Sequence, residues 1–172
     1  GSELTDNKVD WREQLDLSTE NEPYAEDALP AYLRLDGPNQ WLPEDVLPGW
    51  RAQARDYYLA MEQLSQTLMH AIARGLGLPQ DSFDSAFHGG ISTLRLLRYP
   101  VRPPSSFDGV DPADVWTLHG GERRYMLARA HVDTGFMTFL AQDGVGGLQA
   151  QHLDGSWVDV PPQEGSLAVN FG

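Results

Sequence analysis

From residue 125 onward the chain is a succession of short, largely apolar stretches cut by glycine-bearing turns: 125–132, 136–141, 148–151, 157–160 and 167–171. Stretches this short cannot bury a face alone, so they must pair, and the tight connections between them favour antiparallel neighbours. A sixth stretch, Ile-Ser-Thr-Leu-Arg-Leu-Leu-Arg-Tyr at 91–99, is stopped by Pro100. Six such strands point to a distorted jelly roll.

The other strong periodicity is helical. Trp50, Ala54, Tyr57, Met61, Leu64, Leu68, Ile72 and Leu76 recur at three- and four-residue intervals, one apolar stripe at a period of 3.6. Gly75, Gly77 and Pro79 end it. A stripe of this kind backs a sheet, so the expected class is α+β, a distorted double-stranded β-helix (jelly roll) backed by a long helix. Residues 81–87 read as a second short helix capped by Asp81. His70 lies off the stripe and is expected to be exposed.

Ahead of the helix, residues 3–30 are polar and acidic, with Trp11, Leu15 and Leu17 scattered among them. The segment reads either as extended chain packing through those few residues or as a solvated tail. Residues 33–50 are dense in turn formers, with Trp41 and Trp50 as packing anchors. The chain thus divides into an acidic extended segment with turns at 1–48, and a helix with the β-rich core at 49–172. Residues 101–121, rich in Pro, Gly, Ser and Asp, read as a long loop carrying His119.

With 12 basic and 25 acidic residues the net charge is −13, a field that repels a nucleic-acid backbone. The absence of cysteine excludes a disulfide framework and a thiolate metal site. No apolar run approaches a membrane span and no signal-peptide pattern opens the chain, so a cytoplasmic protein is expected.

His131 and Asp133 stand two apart in the stretch expected to be a strand, where alternate side chains leave in one direction. Imidazole and carboxylate would converge, as do two of the three ligands in a two-histidine, one-carboxylate facial triad for Fe(II). Taken alone, the pair reads more readily as a surface or core histidine beside a solvated acid.

The surroundings of this pair are specific. His131-Val132-Asp133-Thr134-Gly135 is followed by Asp143-Gly144-Val145-Gly146-Gly147-Leu148, by Asp154-Gly155-Ser156-Trp157-Val158-Asp159, and by Gly165-Ser166-Leu167-Ala168-Val169-Asn170. From about residue 29 to the C-terminus this series resembles the iron(II)/2-oxoglutarate dioxygenases, in particular their isopenicillin N synthase-like branch.

The resemblance implies Fe(II) held by His131 and Asp133, 2-oxoglutarate as co-substrate, molecular oxygen, and oxidation of a C–H bond in a small organic substrate. It also implies that Tyr99, at a Tyr-Pro strand end, contacts the 2-oxoglutarate carboxylate. Arg95, on the same face of that strand, is a second candidate for the co-substrate, its alternative being a surface salt bridge. Leu97 falls where some members carry an asparagine. A second histidine ligand and an Arg-x-Ser would lie downstream of Val169-Asn170, so the native chain is expected to continue beyond Gly172. His70, His88, His119 and His152 do not match that ligand's place. The alternatives are an oxidase of the same branch that uses no 2-oxoglutarate, and a non-catalytic jelly-roll binding module.

Overall fold

A computed structural model describes residues 4–5, 8–9, 11–23, 37–88 and 90–172. The parts of the extended and turn-rich segments that fall at 24–36 lie outside the described residues. The chain forms two compact units, one of residues 12–101 and one of residues 1–11 with 102–172.

The first unit is built on a long-range strand pair. β3 (Glu13–Ser18) runs antiparallel to β4 (Thr93–Arg98), with Glu13 opposite Arg98 and Asp16 opposite Arg95. Both cross-strand pairs close as ion pairs, Arg98 Nη1 to Glu13 Oε2 at 2.7 Å and Arg95 to the two Asp16 oxygens at 2.8 Å each. Exposed pairs of this kind contribute about 0.2–1 kcal/mol each, but they mark one register against its neighbours. Leu17, only 2% exposed, anchors the buried side of the pair. Within the acidic N-terminal segment, Glu13–Ser18 is thus a paired strand.

An asparagine locks the strand end. Asn39 accepts the Ser18 amide on Oδ1 and donates to the Ser18 carbonyl through Nδ2, both at 2.9 Å, occupying the ladder positions a further strand would take. The same Nδ2 donates to Glu20 at 2.6 Å, and the Trp41 indole and Arg51 guanidinium reach the same carboxylate at 3.1 Å. Partial burial by itself raises the pKa of Glu20, but the hydrogen bonds from Trp41 and Asn39 and the charge of Arg51 outweigh it and hold the carboxyl below its ordinary value.

α1 (Trp50–Gly75) closes in a Schellman arrangement, with Leu78 N–H on Ala73 O, Gly77 N–H on Arg74 O and Gly77 at φ 74°. Its inward face is rotated from the expected stripe. Ala54, Met69 and Ala73 are buried, while Tyr57, Leu64 and Leu76 are exposed. Tyr58 turns inward in place of Tyr57 because its hydroxyl has partners there: it donates to Ser92 O at 3.1 Å and meets Thr19 Oγ1 at 2.9 Å, tying the helix to the segments flanking β3 and β4. The second helix is one turn, α2 (Asp84–Phe87), without a side-chain cap; the Asp81 carbonyl, not its carboxylate, receives the Asp84 amide. Asp84 instead meets His70 Nε2 at 2.9 Å, so His70 is half-buried rather than fully exposed.

The second unit is assembled from hairpins and ribbons. β1 (Leu4–Thr5) pairs with β2 (Lys8–Val9). Residues 101–121, expected as loop, hold a 3₁₀ turn at Pro104–Phe107, the short helix α3 (Pro112–Val115) capped by Asp111, and β5 (Trp116–His119). β5 pairs with β6 (Glu122–Tyr125) across Gly120-Gly121, whose φ values of 58° and 81° suit a two-residue turn of the right twist for a hairpin. Trp116, Tyr125 and Phe107 cluster with ring centroids 4.9–6.0 Å apart, and Val115, which precedes Trp116, is buried. β7 (Met137–Leu140) pairs with β10 (Ala168–Phe171), and β8 (Gln149–Gln151) with β9 (Trp157–Asp159). Among the described residues the strands form five two-stranded antiparallel sheets, mixed with helix, and no closed barrel.

The strand expected over 125–132 ends at Tyr125. One further ladder bond, Met126 N–H to Val115 O at 2.7 Å, follows before the chain turns away. Arg129 is what holds it off the ladder: its Nη2 donates to the Asp114 carbonyl at 2.7 Å and lies 3.3 Å from the Asp114 carboxylate.

Candidate metal centre

His131 and Asp133 therefore sit on a loop between β6 and β7, and strand alternation is not what directs them. The loop does so through its own hydrogen bonds. His131 Nδ1 lies 2.8 Å from the carbonyl of Arg129, the residue anchored to Asp114. A carbonyl only accepts, so Nδ1 is the donor in this contact and Nε2 is the nitrogen left to meet an ion.

Asp133 is oriented from the other side. Its Oδ2 accepts the Thr138 hydroxyl at 2.7 Å and the Asn170 amide at 2.9 Å. Thr138 is on β7 and Asn170 is its direct cross-strand partner on β10, so the register of that ribbon places both donors. β10 also runs hard against the loop. A side chain added at Gly172 would collide with the carbonyl oxygens of Asp133 and Gly135, and the rings of Phe136 and Phe171 meet edge to face at 5.6 Å.

The result is that His131 Nε2 and Asp133 Oδ1 face each other at 3.5 Å. That is beyond a good hydrogen bond. Two electron-pair donors brought this close fit a shared cation, since bonds from metal to imidazole nitrogen or carboxylate oxygen run about 2.0–2.2 Å. The donor set, one imidazole and one carboxylate with the ring tautomer and carboxylate orientation fixed from behind, suits Fe(II). The side chains are 53% and 31% exposed, so an ion could reach them. Among the described residues no group of three or more His, Asp, Glu or Cys forms a cluster.

The remaining sequence candidates lie elsewhere in the chain. Arg95 makes the two-pronged bond to Asp16, and Tyr99, 37% exposed, follows β4. His119 meets Gln149 at 3.0 Å and Asp159 at 3.4 Å, and the His152 amide closes the β8–β9 hairpin on Ser156 O. Sequence reasoning assigned no role to Arg129, Thr138 or Asn170. The signal for the last two was a single polar residue inside each of two apolar strands, Phe-Met-Thr-Phe-Leu and Leu-Ala-Val-Asn-Phe.

The chain is similar to known proteins. A family model described as the 2OG-Fe(II) oxygenase superfamily matches residues 96–172, the stretch holding His131, Asp133, Thr138 and Asn170. The chain is 36% identical over 174 residues to the 2-oxoglutarate-dependent dioxygenase frbJ of Dothideomycetidae sp. (strain 11243), a match covering 100% of the chain and 42% of that protein. It is 34% identical over 173 residues to the 2-oxoglutarate-dependent dioxygenase htyE of Aspergillus rugulosus, covering 99% of the chain and 44% of that protein. A full-length Neurospora crassa protein, solved in complex with alpha-KG, superposes with a TM-score of 0.74 at 31% identity over 95% of the chain and 43% of its own length. The chain thus spans less than half the length of these relatives. By these matches it belongs to the 2OG-Fe(II) oxygenase superfamily.

Proposed function

We propose that this chain is the iron-binding part of a non-haem Fe(II)/2-oxoglutarate-dependent oxygenase acting on a small organic molecule. The observation that carries the reading is the approach of His131 Nε2 and Asp133 Oδ1, each fixed from behind by its own hydrogen bonds. His131 and Asp133 would hold the ion. When bound, Fe(II) and 2-oxoglutarate supply the oxidising power, O2 oxidising a substrate C–H bond as the co-substrate is converted to succinate and CO2.

The chain's own part is positional. Arg129 O keeps the proton of His131 on Nδ1, which leaves Nε2 as the coordinating atom. Thr138 and Asn170 hold the Asp133 carboxylate, and with it negative charge that offsets the charge of the ion. The strands belong, in this reading, to a distorted jelly roll of the isopenicillin N synthase-like kind, backed by α1. Tyr99 and Arg95 are assigned to the co-substrate on the resemblance of their strand; Tyr99→Phe should then weaken 2-oxoglutarate binding several-fold.

A small-molecule substrate is supported by the Neurospora crassa relative, solved with thymine and with 5-formyluracil alongside alpha-KG. A net charge of −13 disfavours a polyanion, and among the described residues no helix is long and apolar enough to cross a membrane. The test is succinate formation by protein carrying this chain. It should require both Fe(II) and 2-oxoglutarate and vanish in His131→Ala; turnover without 2-oxoglutarate, or unchanged turnover in that variant, would overturn the reading.

A further inference from the structure

We propose that Thr138 and Asn170 are positioning residues that select which oxygen of Asp133 meets the metal, an inference that rests on the iron-site reading above. A carboxylate offers two chemically equal oxygens, and nothing in the sequence of the loop distinguishes them. The β7·β10 ribbon does. Two donors from directly opposed residues converge on Oδ2, at 2.7 Å from the Thr138 hydroxyl and 2.9 Å from the Asn170 amide, and Oδ1 is the oxygen that faces His131 Nε2.

The placement of these donors is unusually determinate for groups on a half-exposed site. Thr138 is β-branched and stiff at χ1, and Asn170 is held by the ladder that pairs Ala168 with Leu140 through Phe171 with Met137. One cross-strand pair therefore supplies a hydroxyl and an amide to a single oxygen, while the loop that bears Asp133 is itself pressed against Gly172, the residue after β10. Loss of either donor would let the carboxylate rotate, so that Oδ1 is no longer held toward His131 Nε2. Metal affinity would fall even though neither residue touches the ion, and partners of this kind carry about 10–100-fold in metal affinity.

The experiment is a Zn(II) titration of the chain followed at the His131 ring by NMR, for the unchanged protein and for Thr138→Val, Thr138→Ser, Asn170→Leu and His131→Ala. The unchanged chain should bind at His131. Thr138→Val and Asn170→Leu should each weaken that binding about tenfold, and Thr138→Ser, which keeps the hydroxyl, should bind as the unchanged chain does. Equal affinity in all but His131→Ala would overturn the positioning role and leave the metal site standing. Absence of Zn(II) binding at His131 in the unchanged chain would overturn both. A loss in Thr138→Ser equal to that in Thr138→Val would show that the hydroxyl is not the determinant and would also overturn the role. A second measurement needs no change at either residue: the Asn170 side-chain amide should shift on Zn(II) addition in step with the His131 ring, and an unmoved amide would count against the proposal.

Discussion

His131 Nε2 and Asp133 Oδ1 lie 3.5 Å apart although the residues between β6 and β7 form no strand. Their approach is made by three anchors, Arg129 on Asp114, His131 on the Arg129 carbonyl and Asp133 on Thr138 and Asn170. The anchors have separate consequences.

Asp133→Asn keeps the shape of the side chain and removes its charge, and the new amide cannot serve as both acceptor and anionic ligand. Metal affinity should drop by roughly 100-fold or more, beyond what the outer partners of a ligand carry. Mn(II) binding followed by electron paramagnetic resonance checks this, with His131→Ala as the matching control.

Arg129→Met retains the aliphatic stem but removes both bonds to Asp114. The carbonyl that fixes the His131 tautomer then loses its own support. Metal affinity should fall about tenfold, the lower end for an outer partner. Amide exchange should quicken across 126–135 while the β5–β6 hairpin keeps its protection.

Asn39→Ala removes the clamp on both backbone groups of Ser18 and one donor to Glu20. The loss should amount to about 1–3 kcal/mol, because a partly buried N–H and C=O are left without their partner. Urea unfolding monitored by tryptophan fluorescence reads it, with Trp41 itself in the affected network.

The same network gives a pH dependence. The carboxyl of Glu20 is held below its ordinary value of 4.5 in the folded chain, so the folded state binds that proton less readily than the unfolded one. Its contribution is complete above that value and is lost as pH falls through the depressed folded value. Glu20→Gln should therefore flatten the acid limb of the stability curve below about pH 4.5 and leave its slope near neutrality unchanged. Denaturant midpoints measured from about pH 3 to pH 7, a span chosen to bracket carboxylate titration, decide it.

What could be read from the sequence was the pairing of His131 with Asp133 and most of the periodic elements. α1, its glycine end, β4 and the three strands after residue 148 lie within a residue or two of where alternation and the 3.6 period place them. The stretch after Tyr125 misled because Met126, Ala128, Ala130 and Val132 alternate as a strand would, while the bonds of Arg129 to Asp114 draw the chain off the ladder. The β5–β6 hairpin was hidden in a run of Pro, Gly and Asp, where Gly120-Gly121 was the one usable mark. The rotation of α1 toward Tyr58 depended on partners at Thr19 and Ser92 that no local pattern reveals. His131 and Asp133 were visible as a pair, but Thr138 and Asn170 acquire meaning only through a register that joins residues 32 apart in the chain.

The pairing of β3 with β4 bears on the order of events during synthesis. Asp16 and Arg95 are separated by 79 residues, with all of α1 between them, whereas the β5–β6 and β8–β9 hairpins close over short turns. An emerging chain would hold 13–18 as a bare edge until 93–98 had left the ribosome, its closure delayed by the large intervening loop. Over that interval the charged residues of the strand, Glu13 and Asp16, serve a second purpose: they make the waiting edge a poor template for another nascent copy.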